Sequence, residues 1–213
     1  MGAQAAALPE WLDVLAMCVM GAVGAAIARR RGAQIYGTLF AGIVVGLGGG
    51  MVRDVLLSTE PVAIANWIYI PAVLGAALVG ALLFRNLTTR VPVFVFVQGL
   101  ALGLLITIGC QRALDFDVPV PSVLLLGVLT ATAGGIILDA MSATRSSVID
   151  STTGWLASAL LIGAVVFWAL SEYVSFSVAV IACVAVVTGL RVVTVERGWP
   201  APEWPATPEQ AAS

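Results

Sequence analysis

The chain has 213 residues, of which 60% are hydrophobic and only 10% charged, and its formal net charge is −2. Soluble domains carry about 25% charged residues, so this composition excludes a soluble globular protein and indicates an integral membrane protein. Lysine and histidine are absent, which excludes imidazole chemistry, and without a basic block nucleic acid is not an expected partner.

Seven stretches have the length and apolar character of transmembrane helices, and lipid favours helices because they satisfy their own backbone. In chain order the predicted spans are 11–28, 35–57, 67–84, 91–111, 120–141, 154–171 and 173–193. Residues 1–10 precede the first span, and the residues 198–213, rich in Pro, Ala and Glu, predict a disordered tail. The sequence therefore predicts an all-α membrane bundle.

The arginines predict which way the bundle faces. Eight of them fall on one side of the predicted spans, and two on the other. The eight are Arg29, Arg30, Arg31, Arg85, Arg90, Arg145, Arg191 and Arg197. Because basic loops stay in the cytoplasm, we expect a multi-pass protein of the cell membrane with residues 1–10 outside and the tail inside.

An internal repeat links the second predicted span to the fifth. The sequence AGIVVGLGGGMVRDVL (41–56) resembles LGVLTATAGGIILDAM (126–141), at an offset of 85 residues. The alignment pairs identical residues: Gly42 with Gly127, Gly49 with Gly134, Gly50 with Gly135 and Asp54 with Asp139. Arg53 aligns with Leu138, so the second copy keeps the aspartate and lacks the arginine.

The repeat predicts the topology, because each copy lies in the middle of a three-helix unit. A unit with three crossings ends on the opposite side of the membrane, so the second unit (91–171) is inverted relative to the first (11–84). The span 173–193 lies outside the repeat. Inverted repeats with interrupted helices at matching positions are typical of transport pathways.

Gly48, Gly49 and Gly50 predict a break or kink, because each glycine costs about 1 kcal/mol relative to alanine inside a helix. Arg53 and Asp54 follow within the membrane, where charges pair or face a cavity. Two interpretations stay open. The first is a structural Arg–Asp pair that locks two helices together. The second is a watery path, in which broken helices expose carbonyl oxygens and two aspartates favour cations.

With Asp139 included, the motif pair has two aspartates and one arginine, so we expect it to be net negative, with Arg53 as its only intrinsic cation. Repeated small residues, such as Gly42, Gly46 and Gly50, also allow close helix packing. The threonines Thr130 and Thr132 are expected to bond back to their own helix.

Four motifs together resemble the prokaryotic trimeric intracellular cation (TRIC) channel family: GGGMVRDVLL, AGGIILDAM, ARRRGAQIYGT and QGLALGLLITIGCQRALD. That family overlaps bacterial membrane proteins, some of which are regarded as glycine transporters. The resemblance spans about residues 11 to 197. It implies two inverted three-helix repeats plus a seventh helix, in a homotrimer with a pore in each subunit.

The resemblance also implies that the second and fifth helices are kinked and line the pore. Matched residue by residue, it points to these positions: Gly48, Gly49, Gly50, Arg53, Asp54, Gly134, Gly135 and Asp139. Many bacterial members carry a second arginine where this chain has Leu138. A role that needs both arginines therefore does not transfer.

Two functions of different classes follow. The first is a K⁺-permeable channel, with monovalent cations, membrane lipid and two further copies of the chain as partners. The alternative is a carrier for glycine or another small zwitterion, with Arg53 holding the carboxylate and an aspartate the amine. A membrane scaffold without a permeant is a third possibility. No catalytic set, cofactor or resident metal is expected.

Overall fold

The structure is a computed structural model that describes residues 9–83, 91–142 and 155–199. These residues form eight α-helices and no strand. The helices are α1 (Glu10–Arg30), α2 (Ile35–Leu56), α3 (Val62–Ala65), α4 (Tyr69–Leu83), α5 (Val91–Asp115), α6 (Val120–Met141), α7 (Leu156–Tyr173) and α8 (Phe176–Glu196). Most of residues 1–10 and 198–213 lie outside the described segments.

Six of the described helices are long and apolar enough to cross a membrane: α1, α2, α5, α6, α7 and α8. They coincide with six of the predicted spans, with ends that differ by a few residues. The remaining span, 67–84, corresponds to α4, which is apolar but has only 15 residues. The protein is thus an all-helical, multi-pass membrane protein, and the four-residue α3 is an element that the sequence did not predict.

Apolar side chains cover much of the outside of the bundle. Leu82 on α4, Leu161 on α7 and Ile181 on α8 are all exposed. A surface of this kind is covered by lipid or by another protein chain rather than by water.

The helix α2 continues without interruption through Gly48, Gly49 and Gly50, and α6 likewise continues through Gly134 and Gly135. The predicted break, with unwound backbone and exposed carbonyls, is therefore wrong. The backbone stays helical because a helix meets its own hydrogen-bonding needs within the membrane, and Gly48, Gly49, Gly50 and Gly134 are packed against neighbouring helices.

One small-residue face of α2 packs against α1 and α4. A methyl group added to Gly46 would lie 2.8 Å from the carbonyl oxygen of Met17 and 2.7 Å from Val73. A methyl group on Gly42 would overlap Ala77. The predicted close packing through this ladder of small residues is confirmed.

Another face of α2 crosses α6 in the antiparallel sense. A methyl group on Gly134 would lie 2.5 Å from the carbonyl oxygen of Val45, and one on Gly49 would overlap the carbonyl oxygen of Thr130. As the residue number rises along α2, the number of the contacted residue in α6 falls, so the two helices run in opposite directions. We call the end of the bundle where α2 ends the Arg53 end, and the end where α6 ends the Asp139 end.

Candidate functional site

Arg53 and Asp54 form a buried ion pair near the last turn of α2. The guanidinium of Arg53 is 0% exposed, and its Nε donates to Oδ1 of Asp54 at 2.7 Å. The other carboxylate oxygen of Asp54 accepts a hydrogen bond from the backbone N–H of Val62 at 3.0 Å. The pair therefore also fixes the start of α3. This arrangement resembles the first interpretation of the motif, in which an Arg–Asp pair locks two helices together.

A second buried carboxylate, Asp13 of α1, faces the same guanidinium. Its Oδ1 lies 4.0 Å from Nη1 of Arg53, and its Oδ2 accepts a hydrogen bond from the hydroxyl of Tyr69 at 3.1 Å. Arg53, Asp54, Asp13 and Tyr69 thus join α1, α2 and α4 through charged and polar groups. We call these four residues the Arg53 cluster.

The Arg53 cluster is not fully satisfied by protein groups. Within the described segments, Nη1 and Nη2 of Arg53 donate to no protein atom, and Oδ1 of Asp13 accepts from none. Buried charged groups are costly unless they are paired and hydrogen-bonded. The cluster therefore retains capacity to bind a further polar or charged group.

A cavity of about 250 Å³ opens beside this cluster at the Arg53 end. Its charged and polar lining consists of Glu10, Asp13, Tyr69, Gln111, Arg112 and Asp115. Three carboxylates and one guanidinium make the lining net negative, and a cavity lined by one sign of charge concentrates the opposite ions. The arrangement favours cations at this end.

Asp139 is buried at the opposite end and has a basic partner from another part of the chain. Its Oδ1 accepts a hydrogen bond from Nη2 of Arg31 at 2.8 Å. Arg31 follows directly after α1. Arg53 is the cation within the motif pair itself, and Asp139 is paired with an arginine from outside the motif because distant chain segments meet here.

A smaller cavity of about 60 Å³ lies next to Asp139. Its lining residues come from α1, α2, α5, α6 and α7 and include Met20, Val45, Gln98, Gly135 and Asp139. Of the predicted pore residues, only Gly135 and Asp139 line this cavity. Gly48, Gly49 and Gly134 lie instead in the contact between α2 and α6.

The two motif aspartates lie at opposite ends of the bundle. Asp54 comes five residues after Gly49, and Asp139 five residues after Gly134. Because α2 and α6 are antiparallel at these glycines, each aspartate is about 8 Å beyond the crossing in opposite directions, at 1.5 Å per residue. The structure does not bring them into one ion site.

Apolar side chains occupy the stretch between the cavities. The helix α1 contributes Asp13 to one cavity and Met20 to the other, with Met17 between them on the same helical face. On α5, Leu105 holds the matching intermediate position, and both side chains are buried. A methyl group on Gly50 would lie 2.5 Å from Cε of Met17, so this glycine makes room for the methionine.

Sequence reasoning missed Asp13 and Arg31 as members of the site. A carboxylate within the apolar stretch of the first predicted span, 11–28, is a signal for Asp13, because intramembrane charges are rare and functional. Arg31 lies in an arginine cluster that also marks orientation, so the sequence holds no separate signal for it. The expected bonds of Thr130 and Thr132 to their own helix are present, at 2.7 and 2.8 Å.

Sequence comparison finds relatives over most of the chain. The family model described as "Glycine transporter" matches residues 10–85 and 95–172. The UPF0126 inner membrane protein YadS of Escherichia coli strain K12 is 29% identical over 176 residues, which cover 80% of this chain and 82% of that protein.

Structure comparison finds the same fold in solved channels. A structure described as the basis for conductance through TRIC cation channels has a TM-score of 0.82 and 24% identity, and it covers 94% of this chain and 99% of that one. The TRIC orthologue from Rhodobacter sphaeroides has a TM-score of 0.80 and 27% identity, covering 89% and 97%. Because the family match spans more than half of its length, the chain belongs to the glycine transporter family and has the TRIC fold.

Proposed function

We propose that the protein is a K⁺-permeable monovalent-cation channel of the TRIC type, with a hydrated path inside each protomer. The observation that carries the proposal is a pair of cavities at opposite ends of one bundle, each lined by a buried carboxylate, Asp13 or Asp139. The similarity to solved TRIC cation channels supports it.

The proposed path runs between the two cavities along α1 and α5. Both helices contribute lining residues to both cavities. Met17 and Leu105 fill the stretch between them, so the structure corresponds to a closed path, and conduction requires these side chains to move. Carboxylates at both entrances would favour cations over anions.

In this proposal the predicted pore helices, α2 and α6, line only part of the path. The rest of each helix holds the lining residues of other helices in position. Gly135 and Asp139 line the Asp139-end cavity, while Arg53 and Asp54 hold Asp13 in place at the other end. The contact of Gly48 and Gly49 with α6 keeps the two helices together. A kink in either helix belongs to the open state of the proposed channel.

We also propose the topology predicted from the sequence: inverted repeats 11–84 and 91–171, then a seventh helix at 173–193. The family model matches the chain twice, once in each repeat, and α2 and α6 are antiparallel, both of which support the inversion. With α4 as a seventh crossing, the Asp139 end would face the cytoplasm. Arg31 and Arg191 lie at that end, and Arg53 and Arg112 at the other.

The assembly is proposed to be a homotrimer, because the similar channel from Rhodobacter sphaeroides is a trimeric one. Cross-linking of the purified protein in mild detergent tests this state. A trimer band at low cross-linker supports the proposal, and a monomer band alone contradicts it.

Single-channel recording in planar bilayers tests the channel. We expect unitary currents that reverse at the K⁺ equilibrium potential under a KCl gradient. Asp13→Asn should reduce the permeability ratio of K⁺ to Cl⁻ by about threefold or more, because it removes a carboxylate from the path. The matched control Asp117→Asn removes an exposed carboxylate in the loop after α5, outside both cavities, and should leave the ratio unchanged.

The carrier for glycine is the second candidate, favoured by the family description and by the unsatisfied Arg53 cluster. Opposite charges on Asp13 and Arg53, 4.0 Å apart, match a small zwitterion. Saturable uptake of labelled glycine into proteoliposomes, together with an absence of unitary currents in planar bilayers, would show that the protein is a carrier and not a channel. Unitary K⁺ currents without glycine uptake would exclude the carrier.

A further inference from the structure

Arg31 joins Asp139 at the boundary between two cavities. Asp139 lines the cavity of about 60 Å³, and Arg31 lines a neighbouring cavity of about 640 Å³. Leu138 lines both. The Arg31–Asp139 ion pair, at 2.8 Å, therefore lies in the wall that separates the inner cavity from the larger one.

We propose that Arg31 is the gating residue of the Asp139 end. Arg31 thereby takes the role that an arginine at position 138 would have in the second repeat. This proposal rests on the proposed channel function and identifies one gate of that channel. While Arg31 is bound to Asp139, the wall between the cavities is closed. When Arg31 moves away, the wall between the cavities opens to entering cations.

The two ion pairs at the ends of the bundle differ in a way that suits this role. Arg53 is fully buried on the same helix as Asp54, the next residue, whereas the Arg31 side chain is 32% exposed and its partner Asp139 only 4%. Arg31 also lies outside the regular helix, just before Gly32, which has a φ of 84°. One pair is fixed in the bundle, and the other can part with a local movement of a turn.

The exposure of Arg31 has a further consequence. A partly exposed ion pair is weakened by salt, whereas a buried pair is screened much less. Rising ionic strength at the Asp139 end should therefore favour the open wall. The Arg53 cluster should not respond in the same way.

The first test compares K⁺ flux into proteoliposomes for two substitutions in the same turn. Arg31→Gln should raise the flux by about threefold or more and reduce its dependence on ionic strength, since the salt-sensitive pair is gone. Arg30→Gln is the control. It removes the same charge, but Arg30 lies over the ring of Phe94 rather than against Asp139, so the flux and its salt dependence should stay unchanged. Arg31→Lys retains the charge and should lie nearer to the wild type.

A rescue variant tests the proposed equivalence with the missing arginine. Leu138 occupies the position that aligns with Arg53 and borders both cavities. Adding Leu138→Arg to Arg31→Gln should return the flux toward the wild-type value. Equal fluxes for Arg31→Gln and Arg30→Gln would overturn the inference.

A second readout does not depend on conduction. A thiol is introduced by Gly135→Cys after the native cysteines are replaced by alanine; nothing lies within 4 Å of a Cβ at this position, and it lines the inner cavity. Thiol modification is measured with a cationic and an anionic thiosulfonate. An opened wall speeds both reagents, whereas a mere loss of positive charge speeds the cationic one and slows the anionic one.

The two failures are thus distinguishable. If the wild type conducts nothing but Arg31→Gln speeds both reagents, the channel is wrong and the gate stands. If the wild type conducts K⁺ but modification responds equally to Arg31→Gln and Arg30→Gln, the gate is wrong and the channel stands. Opposite changes for the two reagents also contradict the gate.

Discussion

At the scale of single residues, Arg53 holds together three helices. Its guanidinium pairs with Asp54 and faces Asp13, which in turn accepts a hydrogen bond from Tyr69. All three charged side chains are buried, and the arginine is the cation that both carboxylates face.

Replacing Arg53 should be strongly destabilising. We expect Arg53→Met to lower the free energy of unfolding by about 3–5 kcal/mol, since removal of one partner leaves buried charges uncompensated. Unfolding in mixed detergent micelles measures this value. Arg112→Met, which removes an exposed arginine at the same end, should cost less than about 1 kcal/mol. Equal costs for the two variants would mean that Arg53 does not stabilise the cluster.

At the scale of the helix, the glycine motif works mainly through close approach. Gly48 and Gly49 contact α6, whereas Gly50 faces Met17 on α1. The three consecutive glycines thus serve two different neighbours, which a single ladder of every fourth residue could not do. The second copy differs, because Gly134 is in close contact with α2 while Gly135 faces open space.

The motif glycines should therefore respond differently to a methyl group. Gly49→Ala should lower stability by about 1–3 kcal/mol, as overpacking does, because its Cβ overlaps the carbonyl oxygen of Thr130. Gly135→Ala meets no atom within 4 Å and should raise stability by up to about 1 kcal/mol through its helix propensity. Thermal unfolding of the purified variants in detergent compares them. A destabilising Gly135→Ala would show that the open space is needed.

The apolar stretch on α1 makes a separate prediction at this scale. Shortening it by Met17→Ala should raise K⁺ flux into proteoliposomes by about threefold or more, since an apolar constriction resists water and ions. Met51→Ala is the control, because Met51 is a partly buried residue of α2 outside both cavities. Unchanged flux in Met17→Ala would place the path elsewhere.

At the scale of the whole molecule, the bundle has an apolar exterior and charged ends. The described arginines are divided unequally, with the Asp139 end holding Arg29, Arg30, Arg31 and Arg191. This distribution is what fixes the insertion of a helical membrane protein. It predicts that the Asp139 end is cytoplasmic.

Cysteine labelling in intact cells checks this orientation. With the native cysteines replaced by alanine, a membrane-impermeant maleimide should label Glu60→Cys at the Arg53 end. It should not label Ser142→Cys at the Asp139 end until the cells are lysed. Both positions are exposed. The reverse pattern would invert the proposed topology.

Hydropathy and the arginine pattern were enough to predict the helical bundle, because lipid imposes one simple requirement on each span. They did not predict α3, which has four residues and depends on the hydrogen bond from Val62 to Asp54. The roles of Asp13 and Arg31 also could not be predicted, since each acts through a partner 40 or more positions away. The glycines were recognised as unusual, but only the packed neighbours show that they allow contact instead of breaking the helix.

The position of α1 in the bundle couples the two ends. This single helix carries Asp13 opposite Arg53, and Arg31 follows directly after its last residue and bonds to Asp139. A translation of α1 along its axis as a rigid helix would therefore lengthen both ionic contacts at the same time, and Met17 would move with the helix. A displacement of α1 along its axis would thus be felt at both mouths, because its 21 residues connect them.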